Sequence, residues 1–192
     1  MPWLAVLGMA GAFFNLGRPD GAALILLSFH CFLRTAELLG VCRHHVTWTR
    51  ARRRGVLLLP LTKSGQRHGC AENVTFDDEL VGEWLHDVLT SRGMFDAVWT
   101  GSSQSFRKLW KHCLGLCGLP AIYQPYSLRR GGATHHFLEH SNLTLTQYRG
   151  RWAAQKTCRI YVVEGQRELC EVALTADAKA RCTAMALLLK GM

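Results

Sequence analysis

The chain has 192 residues, with 23 Lys plus Arg against 14 Asp plus Glu and a formal net charge of +9. That length suits one domain with a buried core, and 48% hydrophobic residues with a mean hydropathy of +0.03 point to a globular and not a disordered chain. A pI near 9.4 favours a polyanionic partner, nucleic acid ahead of an anionic membrane, and 17 of the 23 cations are arginines, whose guanidinium forks grip phosphate in two places. The eight cysteines form no CxxC pair, so reduced, mostly buried thiols in an intracellular protein are expected. That place would be nuclear in a eukaryote and cytoplasmic in a bacterium or phage.

The opening PWLAVLGMAGAFF contains an Ala10-Gly11-Ala12 small-x-small triplet. No basic residue precedes it, so it reads as a core helix and not a secretion signal. GRPDGAALILLSFHCFLRTAELLG reads as one central helix from Pro19 and Asp20 to Gly40, with Arg34 and Glu37 on one face near its end. Its apolar run is too short to span a bilayer.

VTWTRARRRGVLLLPLTKSGQRHGCAENVTF then reads as strand, basic turn, strand, loop, strand. Asp77 is placed to cap a helix on which Leu80, Trp84, Leu85, Val88 and Leu89 recur at helical spacing. A helix from about 103 to 117 should stop at Gly118 and Pro120. Ser127 can cap the next helix, and a Gly150 turn leads into the helix of Tyr161. A tail helix is expected from Glu168 to Leu189. The fold class is therefore mainly α with a small antiparallel β-sheet (α+β). It divides into an N-terminal remnant or first helix (1–17), a main domain (18–165) and a C-terminal helix (166–192) that packs on its own core or docks in trans on a neighbour.

Five boxes within 18–165 occur in an order that resembles the tyrosine recombinases, the phage-integrase family. CFLRTAELLGV is similar to the box with an arginine and, three residues on, an acid: Arg34 and Glu37. LPLTKSGQ resembles the β-hairpin lysine box and points to Lys63. YSLRRGGAT resembles the second arginine box, beginning at Tyr126 and carrying Arg129. GRW is similar to the third box, giving Trp152, and RIYV places Tyr161 as nucleophile. The resemblance implies an integrase catalytic-domain fold and a DNA recombinase that cleaves and rejoins strands through a 3′-phosphotyrosyl intermediate on Tyr161. It also implies double-stranded DNA as partner and self-association on that DNA.

The chemistry is coherent without the family. In-line attack on a phosphodiester gathers charge on the non-bridging oxygens, which two guanidinium forks, Arg34 and Arg129, and the Trp152 indole N–H can bind. Glu37 would orient Arg34 from behind. Tyr161 can form a reversible bond to phosphorus, and Lys63 can protonate the departing 5′ oxygen. One phosphodiester replaces another, so no cofactor is required. His112, Cys113 and Cys117 with Cys42, His44 and His45 lack any recognised zinc spacing, so no metal site is expected. Arg50, Arg52, Arg53, Arg54 and Arg130 are the candidate DNA contacts.

Two departures shape the alternatives. The family's second arginine box usually begins with His or Lys as base; here Tyr126 stands there, and a phenol is a poor proton acceptor at neutral pH. Only about 17 residues precede the main domain, too few for the core-binding domain that usually closes the other half of the DNA clamp. The expectation is a catalytic fragment, a truncated gene or a protein holding DNA from one side. The competing functions are a catalytically impaired DNA-binding remnant of a mobile element and a type IB topoisomerase-like nicking enzyme.

Overall fold

The computed structural model describes residues 1–49, 54–60, 62, 71–171 and 174–190. Met1 to Gly17 carries no charged side chain, so a helix made from it belongs in the interior. It forms α1 (Trp3–Asn15), with Ala5, Val6, Met9 and Phe13 fully buried. Beside it lies α2 (Pro19–His30), buried from Asp20 to Phe29. Pro19 fits the first helical turn, where an N–H is not needed. Asp20 accepts from the Gly21 N–H at 2.8 Å and pairs with Arg18 at 2.8 Å, which satisfies a buried carboxylate at the positive end of the helix dipole.

The single helix expected from Pro19 to Gly40 is broken. Phe32 takes φ +48°, and a separate α3 (Thr35–Leu39) begins after Arg34. No Pro or Gly marks the break. Instead the Cys31 and Phe32 carbonyls turn outward and accept from the Arg151 and Arg129 guanidiniums. A distant pair of donors thus stabilises a conformation that local propensity disfavours.

A 3₁₀ turn (Arg43–His45) leads into an antiparallel sheet of order β1-β2-β3: β1 (Val46–Trp48), β2 (Gly55–Leu59) and β3 (Glu72–Phe76). Val46 faces Leu57 and Gly55 faces Phe76. Leu57, Leu59, Val74 and Phe76 point into the core, while Val56, Asn73 and Thr75 point outward, the alternation expected of a half-buried sheet.

α4 (Glu79–Thr90) is capped by Asp78, which accepts from the Val81 N–H at 3.0 Å, and not by the expected Asp77. Asp77 is held by Arg149 at 2.8 Å. α5 (Ser103–Leu116) ends before Gly118 at φ +63°, as its sequence indicates. In α6 (Ser127–His140) Ser127 is the first helical residue and not the cap; its hydroxyl accepts from the Gln124 N–H at 3.1 Å.

α7 (Leu143–Arg149) precedes α8 (Gln155–Glu171). The tail helix expected from Glu168 to Leu189 is two elements, because α8 runs on to Glu171 and α9 (Ala176–Leu187) starts afresh under a Thr175 cap. α9 packs on α1 of its own chain: a Cβ on Gly8 would lie 2.8 Å from Cys182 Cα, and one on Gly11 2.0 Å from the Met185 carbonyl. Among the described residues no helix is long and apolar enough to cross a membrane.

Candidate active site

Arg129 enters from the first turn of α6 and is wholly buried. It donates to the Phe32 carbonyl and, at 2.9 Å, to the Gly150 carbonyl. Its Nε has no hydrogen-bond partner. The guanidinium carbon stands 4.8 Å from the Trp152 ring centre and 5.7 Å from that of Tyr161. Burial first, then the charges of Arg34 and Arg151, bring its pKa down to about 10. It stays charged at neutral pH, inside a cluster of three guanidiniums that an anion would relieve.

Trp152 and Tyr161 come from the α7–α8 turn and α8. Their rings lie 4.8 Å apart, and Trp152 also stacks on Phe32 at 6.2 Å. Gly150 is required here on steric grounds, since a Cβ would fall 1.9 Å from the Trp152 ring. Trp152 is 7% exposed: its ring faces are used in packing around Arg129 and the Tyr161 ring.

The Tyr126 and Tyr161 hydroxyls are 2.5 Å apart. Burial, followed by the hydrogen bond to Tyr161, pushes the Tyr126 pKa up to about 12. Tyr126 therefore keeps its proton at neutral pH, which suits it to donate to the Tyr161 oxygen and not to act as a base.

Arg34 is the residue just before α3. Glu37 accepts from its backbone N–H at 2.8 Å and from its guanidinium at 2.6 Å. The same carboxylate pairs at 2.8 Å with Arg151, and both of those side chains are 5% exposed. Arg151 also donates to the Cys31 carbonyl at 3.1 Å and lies 3.3 Å from Glu72 of β3. It takes φ +55°. Sequence reading passed over Arg151 as the middle letter of GRW, yet it joins the α2–α3 break, Glu37 and the sheet. No sequence signal marks it, because its partners lie 114 and 120 positions away.

Lys63, Arg50, Arg52 and Arg53 lie outside the described residues. Arg54 is exposed at the start of β2. Arg130 pairs with Glu164 of α8 at 3.3 Å and lies over the Tyr126 ring, so its charge is shared with a carboxylate.

A cleft of about 510 Å³ opens beside Tyr126. Arg107, Lys108 and Lys111 of α5 line it, with Thr35, Gln104 and Gln124. The spacing 104, 107, 108, 111 is one helical face, and that pattern was readable from the sequence. Cys113 on α5 and Cys117 at its C-terminal cap are buried, with the Cys182 thiol 3.9 Å from the Cys117 carbonyl.

The fold, a mainly helical domain with one small antiparallel sheet that brings an arginine, an indole and a tyrosine together, is similar to that of solved site-specific recombinases. Two similar solved structures are of the XerH site-specific recombinase. One is the pre-cleavage complex with difH substrate (TM-score 0.68, 16% identity, 90% of this chain and 52% of that one). The other is the post-cleavage complex with palindromic difH (TM-score 0.65, 17% identity, 89% and 51%). The chain thus spans about half the length of the solved chains it matches. No protein-family model and no curated protein matches it.

Proposed function

We propose that this chain is a DNA strand-transferase, a site-specific recombinase that attacks a phosphodiester with Tyr161. The observation that carries the reading is the placement of Tyr161: its ring is 4.8 Å from Trp152 and 5.7 Å from the Arg129 guanidinium, and its hydroxyl touches Tyr126. In this reading Tyr161 Oη bonds to phosphorus, the phosphorus–O5′ bond breaks, and Lys63 gives its proton to the leaving 5′ oxygen. The proton of Tyr161 passes to solvent. Arg34 and Arg129 hold the non-bridging oxygens as charge gathers on them. Double-stranded DNA is the substrate, the α5 cations contact its backbone, and copies of the chain assemble on paired sites.

The test is a nicked duplex that traps the covalent adduct. Wild-type protein should form a phosphotyrosyl adduct, and Tyr161→Phe should lose it by about 10⁶-fold, the scale on which loss of a covalent nucleophile acts. A wild type without adduct, or an adduct persisting in Tyr161→Phe, overturns the assignment.

The protonated Tyr126 favours a second reading, a DNA-binding protein slow in chemistry. That protein would bind DNA with steep salt dependence and form little adduct. The two are separated by Tyr126→His, which puts an acceptor with a pKa near 6.5 against Tyr161. Adduct formation at pH 7.5 should rise by about 10–100-fold in that variant. An unchanged or lower rate would show that proton removal from Tyr161 does not limit the reaction.

A further inference from the structure

Away from the candidate active site, the turn between α3 and β1 brings three metal-binding side chains together. The ligand atoms of Cys42, His44 and His45 all lie within 4.8 Å of one another, the one such group among the described residues. We propose that Cys42, His44 and His45 bind a zinc-class divalent ion, with a fourth position open to water. This site is independent of the DNA reaction above.

The donor set is one thiolate and two imidazoles, which suits zinc, copper or nickel and not magnesium or calcium. Tetrahedral zinc needs donors about 3.3–3.7 Å apart, set by metal–ligand lengths of about 2.0–2.3 Å. A contraction of roughly 1 Å from the present spacing therefore completes the site. His44 Nδ1 lies 3.1 Å from the Met94 carbonyl, a contact that fixes the proton on Nδ1 and leaves Nε2 with its lone pair. A backbone carbonyl behind a ligating imidazole is the usual outer support of such sites.

His45 Nδ1 accepts from the Cys42 backbone N–H at 3.1 Å, so on binding the ion takes the place of that N–H. The two imidazole rings already stand 4.1 Å apart. Arg43, the cation between Cys42 and His44, has its guanidinium on the Arg92 carbonyl at 3.1 Å, which removes a positive charge from the ion's approach.

The 42–45 turn is also anchored, which limits what ordering the ligands costs. Cys42 bridges to Ala97, and the Arg43 and His44 N–H groups donate to the Asp96 and Met94 carbonyls at 3.2 and 2.9 Å. An ion here would clip the end of α3 to the loop at 93–98.

The probe is cobalt(II), added to the full chain after stripping with chelator and followed by visible and near-ultraviolet absorption. Wild type should show tetrahedral ligand-field bands and a sulfur-to-cobalt charge-transfer band that saturate at one ion per chain and are discharged by zinc. Cys42→Ser should lose the charge-transfer band. The exposed His44→Gln should keep its fold by circular dichroism and weaken cobalt binding by at least about 100-fold, the upper end of the loss when only an outer support is removed. Absence of the thiolate band in wild type overturns the proposal, as does its survival in Cys42→Ser, which would assign the metal to other cysteines.

Discussion

Arg129→Leu should lower folding stability by about 2–4 kcal/mol, because two buried carbonyls lose their donor, and leave no measurable DNA adduct. The loss comes from what the guanidinium satisfies. The Phe32 and Gly150 carbonyls it bridges mark the exits of α2 and α7. Each buried carbonyl left without a donor costs about 1–3 kcal/mol. Relief of repulsion with Arg34 and Arg151 offsets part of that.

Arg129→Lys separates folding from chemistry. It keeps a charge but presents a point donor that cannot span two carbonyls and still grip phosphate. It should be destabilised less than Leu in a urea titration and still fail in the nicked-duplex assay. An Arg129→Leu protein with the wild-type midpoint would mean that the two carbonyls find other donors, and the account of the α2–α3 break would fail with it.

Arg151→Leu should also destabilise by about 3–5 kcal/mol, because it strips a buried partner from two carboxylates. Glu37 retains Arg34 at 2.6 Å, while the Cys31 carbonyl loses its guanidinium donor. Beyond stability, the substitution frees Glu37 to move, and Arg34 with it. Double-mutant cycles in urea resolve the two links. Arg151 with Glu37, both 5% exposed and 2.8 Å apart, should couple more strongly than Arg151 with Glu72, which is 18% exposed and 3.3 Å away. Equal coupling, or none, would remove Arg151 as the residue that positions Arg34 through Glu37. A positioning role further requires that Arg151→Lys recover adduct yield more than Arg151→Leu does at matched folded fraction.

The proximity of Arg129, Trp152 and Tyr161 in the candidate site was legible because these residues lie on short, locally regular stretches. Arg129 is placed by the α6 start, and Trp152 and Tyr161 share one turn and helix, so their separation along the chain translates into a separation in space. The stripe of Gln104, Arg107, Lys108 and Lys111 is equally local, because its 3–4-residue spacing alone places it on one helical face. The Thr175 cap that divides the tail was present too, but the apolar residues on either side read as one continuous run.

Other features were not legible at any effort. Asp77 and Asp78 are equivalent caps by sequence, and the choice falls to Asp78 because Arg149, 72 positions away, holds Asp77. Tyr126 reads as an incompetent base from its residue type alone. Its 2.5 Å contact with Tyr161 is set by where α6 and α8 meet.

By itself the sequence determined the fold class, the buried character of α1 and α2, the antiparallel pairing of the strands and the set Arg129, Trp152 and Tyr161 that comes together in space. These follow from hydrophobic period, turn residues and motif spacing, all of which act within a few residues. Only the tertiary structure decided that the helix after Pro19 breaks at Phe32, that α9 lies on α1 across two glycines, and that Arg151 ties Glu37 to Glu72. Those outcomes depend on groups brought together from distant parts of the chain, 97 positions apart for Arg129 and Phe32 and 120 for Arg151 and Cys31. In a buried site the cost of leaving such a group unpaired exceeds the local preferences of the backbone, so packing overrides propensity there.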